Sequence, residues 1–103
     1  MSPTYQLIRS AILGKQQVIA IYNGLTREMC PHTIGLKKGK EQALFLQFAG
    51  GSSSGLSNPE DNWRCIPLER LQILLVRDGE WYTAANHSRK STCIDQIDVE
   101  VTY

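Results

Sequence analysis

The dipeptide Asn23-Gly24 narrows what this chain can become more than any other feature of it. It joins Gln17–Tyr22, which is apolar and β-branched, to a returning stretch over residues 25–30, and a two-residue Asn-Gly link is the strongest short-range signal for a β-hairpin. So short a link also sets the register. Tyr22 then opposes Leu25, Ala20 opposes Arg27 and Val18 opposes Met29, and directly opposed residues share a face. Arg27 is therefore expected on an apolar face, across from a small residue, where an unpaired charge is costly. It needs a partner, internal or bound.

The flanking segments supply further elements. Ser2-Pro3 reads as an N-cap followed by proline in the first turn, Leu7, Ile8, Ala11 and Ile12 fall on one helical stripe, and Gly14 supplies a stop. A helix of about ten residues does not stand alone in water, so this stripe must pack on the sheet. Pro31 cannot donate to a ladder, so the second strand is expected to bend or break near Pro31-His32 and to resume over residues 33–37. After a turn at Lys38-Gly39-Lys40, residues 43–48 form a third strand with Ala43, Phe45 and Gln47 on one face and Leu44, Leu46 and Phe48 on the other. Both faces are largely apolar, as in a central strand. Residues 63–66 and 71–76 read as two more strands joined by a short helical turn through Pro67-Leu68-Glu69-Arg70. Residues 97–101 alternate like a final edge strand with Asp98 and Glu100 on the wet face. Between these elements, residues 49–62 and 86–92 lack periodicity and read as loops, the first rich in glycine and serine.

A length of 103 residues sets one domain over residues 1–103, with a core over 5–77 and a C-terminal extension over 78–103. Eleven basic and ten acidic residues leave a net charge of +1, so any anion binding must be local rather than the work of a strongly positive body. The mean hydropathy is −0.26, and apolar runs such as Ile73-Leu74-Leu75-Val76 fall far short of the roughly 20 residues that cross a bilayer. The N-terminus carries no signal-peptide pattern, and three cysteines, Cys30, Cys65 and Cys93, form no scaffold-like spacing. A cytoplasmic protein with three reduced, structural thiols and no membrane partner is expected.

The order of motifs resembles the WYL domain family. The stretches that carry the resemblance are Ile19-Ala-Ile-Tyr22, Arg27-Glu-Met-Cys-Pro31, Leu44-Phe-Leu46 at the position of the family's naming motif, and Trp63-Arg64-Cys-Ile-Pro-Leu-Glu-Arg70-Leu71, over roughly residues 5–77. Gln47, Gly51, Ser54 and Trp63-Arg64 look closer to short, stand-alone relatives with a Gly/Ser loop. The resemblance implies a mostly β fold, an Sm/SH3-like β-barrel of five strands or more, with one N-terminal α-helix and a C-terminal extension. It also implies a ligand- or nucleic-acid-sensing role rather than an enzyme.

Arg27, Arg64 and Arg70 match positions where WYL domains carry arginines, and a guanidinium on a rigid strand suits bidentate capture of phosphate or carboxylate. The alternative is internal pairing with Glu28, Asp61 or Glu69. Residues 50–55 form either a backbone nest for an anion, assisted by Ser54, or a plain surface loop. Trp63 and Phe45 are either stacking platforms for bases or core side chains, and Tyr22 shares that ambiguity. With Gln47 at the loop's base, the candidate ligand-binding set is Tyr22, Arg27, Phe45, Gln47, Ser54, Trp63, Arg64 and Arg70. Cys30, His32, His87 and Cys93 match no zinc-ligand spacing, and no nucleophile triad or carboxylate pair emerges, so no metal, cofactor or catalytic residue is expected. The leading expectation is a regulatory module for an anionic small ligand, a nucleotide or single-stranded nucleic acid. The second is a protein-interaction or homo-oligomerisation module that pairs through edge strands.

Overall fold

The computed structural model describes residues 2–51, 62–84 and 93–101. Its elements run α1 (Pro3–Leu13), β1 (Gln17–Tyr22), β2 (Leu25–Lys37), β3 (Lys40–Gly50), β4 (Trp63–Pro67), a 3-10 turn (Leu68–Arg70), β5 (Gln72–Arg77) and β6 (Gln96–Glu100). The chain is thus mostly β with one N-terminal helix. One antiparallel sheet runs in the order β4-β3-β2-β1-β5, and β6 pairs with β2 outside that path.

The hairpin has the register its turn demands: Val18 opposes Met29, Ala20 opposes Arg27 and Tyr22 opposes Leu25. Asn23 and Gly24 both take positive φ, 52° and 73°, as a hairpin link of this length requires. β2 has 13 residues, which would reach about 40 Å if straight. The molecule's longest dimension is 31 Å. β2 therefore bends, and its register shifts at Glu28/Met29 and Pro31/Thr33 show where. The strand does not break at Pro31. Instead the bend gives it two neighbours along one edge, β1 beside its first half and β6 beside Thr33 to Leu36.

Strand pairings also exclude a flat sheet. Pro67 at the end of β4 lies beside Gln42, whose β2 partner is Gly35, whereas Gln72 at the start of β5 lies beside Ile21, whose β2 partner is Thr26. On a flat sheet these two ends would lie about 35 Å apart, counting strand spacing and rise per residue. The short turn between them spans at most about 18 Å. The sheet is consequently strongly coiled.

Helix α1 is capped by Ser2, whose Oγ accepts from the Tyr5 amide at 3.1 Å, and its Gly14 amide closes the C-terminal end on the Ser10 carbonyl at 2.9 Å. The buried stripe is Tyr5, Ile8, Ala11 and Ile12. Leu7, expected in that stripe, is half-exposed, and Tyr5 takes its place because positions 5, 8 and 12 lie on one face. The helix packs chiefly on β2 and closes a core of Val18, Ala20, Met29, Ile34, Phe45 and Ile66. The Tyr5 hydroxyl donates to Asp98 on β6 at 2.6 Å, and burial, then that carboxylate, push it up to about 12.

The expectation of three reduced thiols is corrected. Cys65 on β4 and Cys93 just before β6 form a disulfide with their Cα atoms 5.7 Å apart, and only Cys30 stays free and buried. Spacing along the chain could not announce this pair, because the topology rather than proximity in sequence brings β4 beside the segment that leads into β6. Asp95 accepts from Lys37 and from the Lys38 amide beside it, and β6 approaches β2 so closely that a Cβ on Gly35 would sit 1.9 Å from the Gln96 carbonyl. Among the described residues no helix is long and apolar enough to cross a membrane.

Candidate anion-binding site

The site forms where the hairpin meets the far end of β3. Arg27 stands between Ala20 on β1 and Gly50 on β3, its direct cross-strand neighbours, and their small size leaves room for a long side chain. Gly50 has φ +92°, and a Cβ there would lie 2.5 Å from the Thr26 carbonyl and 2.9 Å from the Arg27 Cα. The Gly51 amide donates to that same carbonyl at 2.8 Å. A close backbone crossing that only glycine fits thus sits against Arg27.

Arg27 is only 3% exposed. Its Nε donates to the Tyr22 carbonyl and its Nη1 to Gln47 Oε1, both at 3.3 Å, and its Cζ lies 5.0 Å from the centroid of the Tyr22 ring. These hydrogen bonds are long and their acceptors neutral. No carboxylate among the described residues pairs with Arg27. Glu28, the nearest acid in sequence, is held instead by Arg77 at 2.7 Å. Burial first, and then the charge of Arg64, pull the Arg27 guanidinium below its ordinary range. A buried charge whose described partners are all neutral is a weak source of stability.

Gln47 is fully buried, and its Nε2 donates to the Ala49 and Gly51 carbonyls at 3.1 and 2.8 Å while its Oε1 accepts from Arg27. Its backbone amide donates to the Asn62 carbonyl at 3.0 Å. The amide group is consumed inside the protein, so Gln47 orients Arg27 and ties down the start of the loop instead of presenting itself to a ligand. Arg64 lies on β4 opposite Phe45, half-buried, with Nη1 donating to the Trp63 carbonyl at 3.3 Å.

The fold therefore brings together Tyr22, Arg27 and Gln47 by contact, while Arg64 stands on β4 opposite Phe45. Phe45 is fully buried in the core. Trp63 faces away from this group, its ring 4.7 Å from that of His32 in an edge-on arrangement. Arg70 is exposed on the 3-10 turn. Ser54 and the Gly/Ser stretch after Gly51 lie outside the described residues, as does His87.

Sequence reasoning missed a second group, at the β2 bend. His32 sits between Trp63 and Trp81, the latter ring 4.8 Å away, with Nδ1 donating to the Cys30 carbonyl at 2.8 Å and Nε2 3.0 Å from the Thr83 hydroxyl. Both His32 nitrogens are engaged and Cys93 is in a disulfide, which removes two of the donors in the zinc reading. Asn62 Oδ1 and Trp81 Nε1 are buried with no hydrogen-bond partner among the described residues. The signal that could have found Trp81 was its place just after the Asp78-Gly79 turn, which returns the chain to the sheet. A groove of about 460 Å³ between the helix N-terminus and the 3-10 turn is lined by Ser2, Lys40, Glu41 and Glu69, among others, and by none of the expected ligand-binding residues.

No family model, curated protein or solved structure matches the chain.

Proposed function

We propose that this chain is a non-enzymatic, WYL-like regulatory binding module that recognises an anionic group, on a small ligand, a nucleotide or single-stranded nucleic acid, through Arg27 and Arg64. One observation carries the reading: Arg27 is buried and its partners among the described residues are all neutral, although strand positions in small β domains are cheap to fill with apolar residues. Binding is the use that offsets that cost. A non-catalytic role is supported by the chemistry to hand, since guanidinium groups do not exchange protons near neutral pH and burial pushes the one free thiol, Cys30, up to about 11.

The barrel of the Sm/SH3 kind belongs to the same proposal. Its support is the five-strand order, with β4 and β5 at opposite ends of the path yet consecutive in the chain and joined by a three-residue 3-10 turn. A screen with nucleotides and short DNA and RNA strands, repeated on Arg27→Lys and Arg64→Ala, tests the function. Binding that weakens in both variants supports it, and binding unchanged in both removes the arginines from the site.

A second reading rests on β5, which ends the sheet path with Leu74 and Leu75 each 50% exposed. A second copy of this chain pairing on that edge would cover them. Light scattering on the ligand-free protein decides this reading, for which a strict monomer at high concentration is fatal.

A further inference from the structure

Residues 93–101 form a strap that is locked at its root by a covalent bond. Cys93 is bridged to Cys65 on β4, and its Sγ lies 3.8 Å from the Ala43 carbonyl on β3. Two residues on, the Asp95 amide donates to the Leu36 carbonyl of β2 at 2.9 Å, and β6 then runs beside Thr33 to Leu36. The strap thus leads from β4 past β3 to β2. Gly35 marks the crossing, since a Cβ there would clash with the Gln96 carbonyl.

Apart from the bridge, the hold on this strap is light. Within β6 only Val99 is partly buried, and Ile94 and Val101 are the buried anchors on either side of it. The ion pairs Lys37–Asp95 and Arg9–Asp98 join side chains that are 30–49% exposed, and surface pairs of that kind contribute little. The bridge removes much of the freedom that the strap would otherwise gain on leaving β2.

Access to the two sulfurs is unequal. Cys65 is exposed on β4, at the end of the sheet path, whereas Cys93 is buried. A thiolate from solvent therefore meets Cys65 first, with no need for the chain to unfold. Gln42 Nε2 donates to Cys65 Sγ at 3.0 Å and lies 3.7 Å from Cys93 Sγ, which places a donor beside the thiolate that leaves. Cys30 is buried and its thiol is pushed up to about 11, so it does not compete for the bridge.

We propose that the Cys65–Cys93 bridge is a reversible redox latch for β6, opened by a dithiol that attacks Cys65 and closed again by exchange with a disulfide. In the opening step the reagent's thiolate bonds to Cys65 Sγ, the bridge breaks, and its electron pair leaves on Cys93 Sγ, which takes a proton from solvent. The reagent's second thiolate then displaces Cys65 from the mixed disulfide. The dithiol is oxidised by two electrons to a disulfide, and both cysteines end as thiols. Opening lets β6 leave β2 and bares the β2 edge over Thr33 to Leu36. The latch is independent of the proposed anion binding, because Arg27 lies in the other half of β2.

The test treats the full chain with dithiothreitol in native buffer at about pH 8, where the reagent is partly thiolate. The rate of bridge opening should rise linearly with reagent, as for an exposed sulfur. In the reduced protein the cross-strand NOEs between Ile34 and Val99 and between Thr33 and Glu100 should be lost, while those between Ala20 and Arg27 persist. Oxidised glutathione should restore the lost set. The variant Cys65→Ser with Cys93→Ser should lack the β6 set with and without reagent. A rate that levels off at the rate of global unfolding overturns the latch, as does a reduced protein in which β6 stays paired. Loss of the hairpin NOEs on reduction overturns it too, because the bridge would then be a staple of the whole fold. A response of the double variant to reagent would place the effect at Cys30 and overturn it as well.

Discussion

At residue scale, Arg27 sets binding against stability. Its desolvation is offset by two long hydrogen bonds to neutral acceptors and by the Tyr22 ring, and replacing a poorly compensated buried ion by an apolar side chain of similar length is commonly neutral or stabilising. Arg27→Met leaves Gln47 Oε1 without its donor, at about 1–3 kcal/mol. Relief of the buried charge is of the same order or larger. The variant is therefore expected to match the parent in urea unfolding or to exceed it by up to about 3 kcal/mol, while losing its response to anions. A loss of several kcal/mol would show instead that the protein holds Arg27 for packing. That Arg27 faces the core was legible in the chain, because a two-residue turn and a period of two leave no freedom in which face a side chain takes. What could not be read was the company it keeps. Glu28 was an available partner by sequence, but it points to the other face of β2 and pairs with Arg77. Gln47 was legible as a polar group on the Phe45 face, yet its role as an internal clamp depends on where the chain turns at Gly50 and Gly51.

At the scale of elements, the C-terminal strand is the part held by the most varied means. β6 lies along the second half of β2, tied at one end by the Cys65–Cys93 disulfide and by Asp95, and in the middle by Asp98, which accepts from Tyr5 and Arg9. The alternation of residues 97–101 announced a strand, but not its neighbour, since pairing with β2 depends on the bend at Pro31 that frees an edge. Nor did it announce the disulfide. The bridge closes a segment with a sequence separation of 28, and chain-entropy arguments put its contribution at about 3–4 kcal/mol. Cys65→Ser with Cys93→Ser should lower stability by about that amount and speed amide exchange in β6 more than in the β1–β2 hairpin. Uniform exchange across both would show that β6 is held without the bridge. Acid should loosen the same strand. The Tyr5 hydroxyl, with help from Arg9, holds the Asp98 carboxyl below its usual range. The unfolded chain then protonates first. This stabilisation is complete above the ordinary carboxylate range near pH 4 and is lost as the pH falls through the lower, folded value. Asp98→Asn should accordingly be less stable than the parent at pH 6, with the gap closing on titration toward pH 2.

For the whole molecule, a net charge of +1 and the proposed site at Arg27 make different demands on salt than a basic surface does. A sequence-blind binder spreads lysines and arginines over its face and releases a counterion for each phosphate it neutralises. Among the described residues, Lys37 is engaged by Asp95, and Lys38 and Lys40 flank the β2–β3 turn at the opposite end of β3 from Gly50 and Arg27. Acids balance the remaining positive charge almost one for one. On the proposed function, a strand held at Arg27 and Arg64 displaces few ions. For single strands the dependence of log K on log salt has a slope of about −0.7 per phosphate contacted, so two arginines predict about −1 to −2. Lengthening the oligonucleotide from about 6 to about 20 nucleotides should leave that slope unchanged, because the described residues form no basic track for added phosphates. A slope that steepens with length would mean that the strand runs along the protein surface. The buried Arg27 would then play no part in holding it, and Arg27→Met would bind as the parent does.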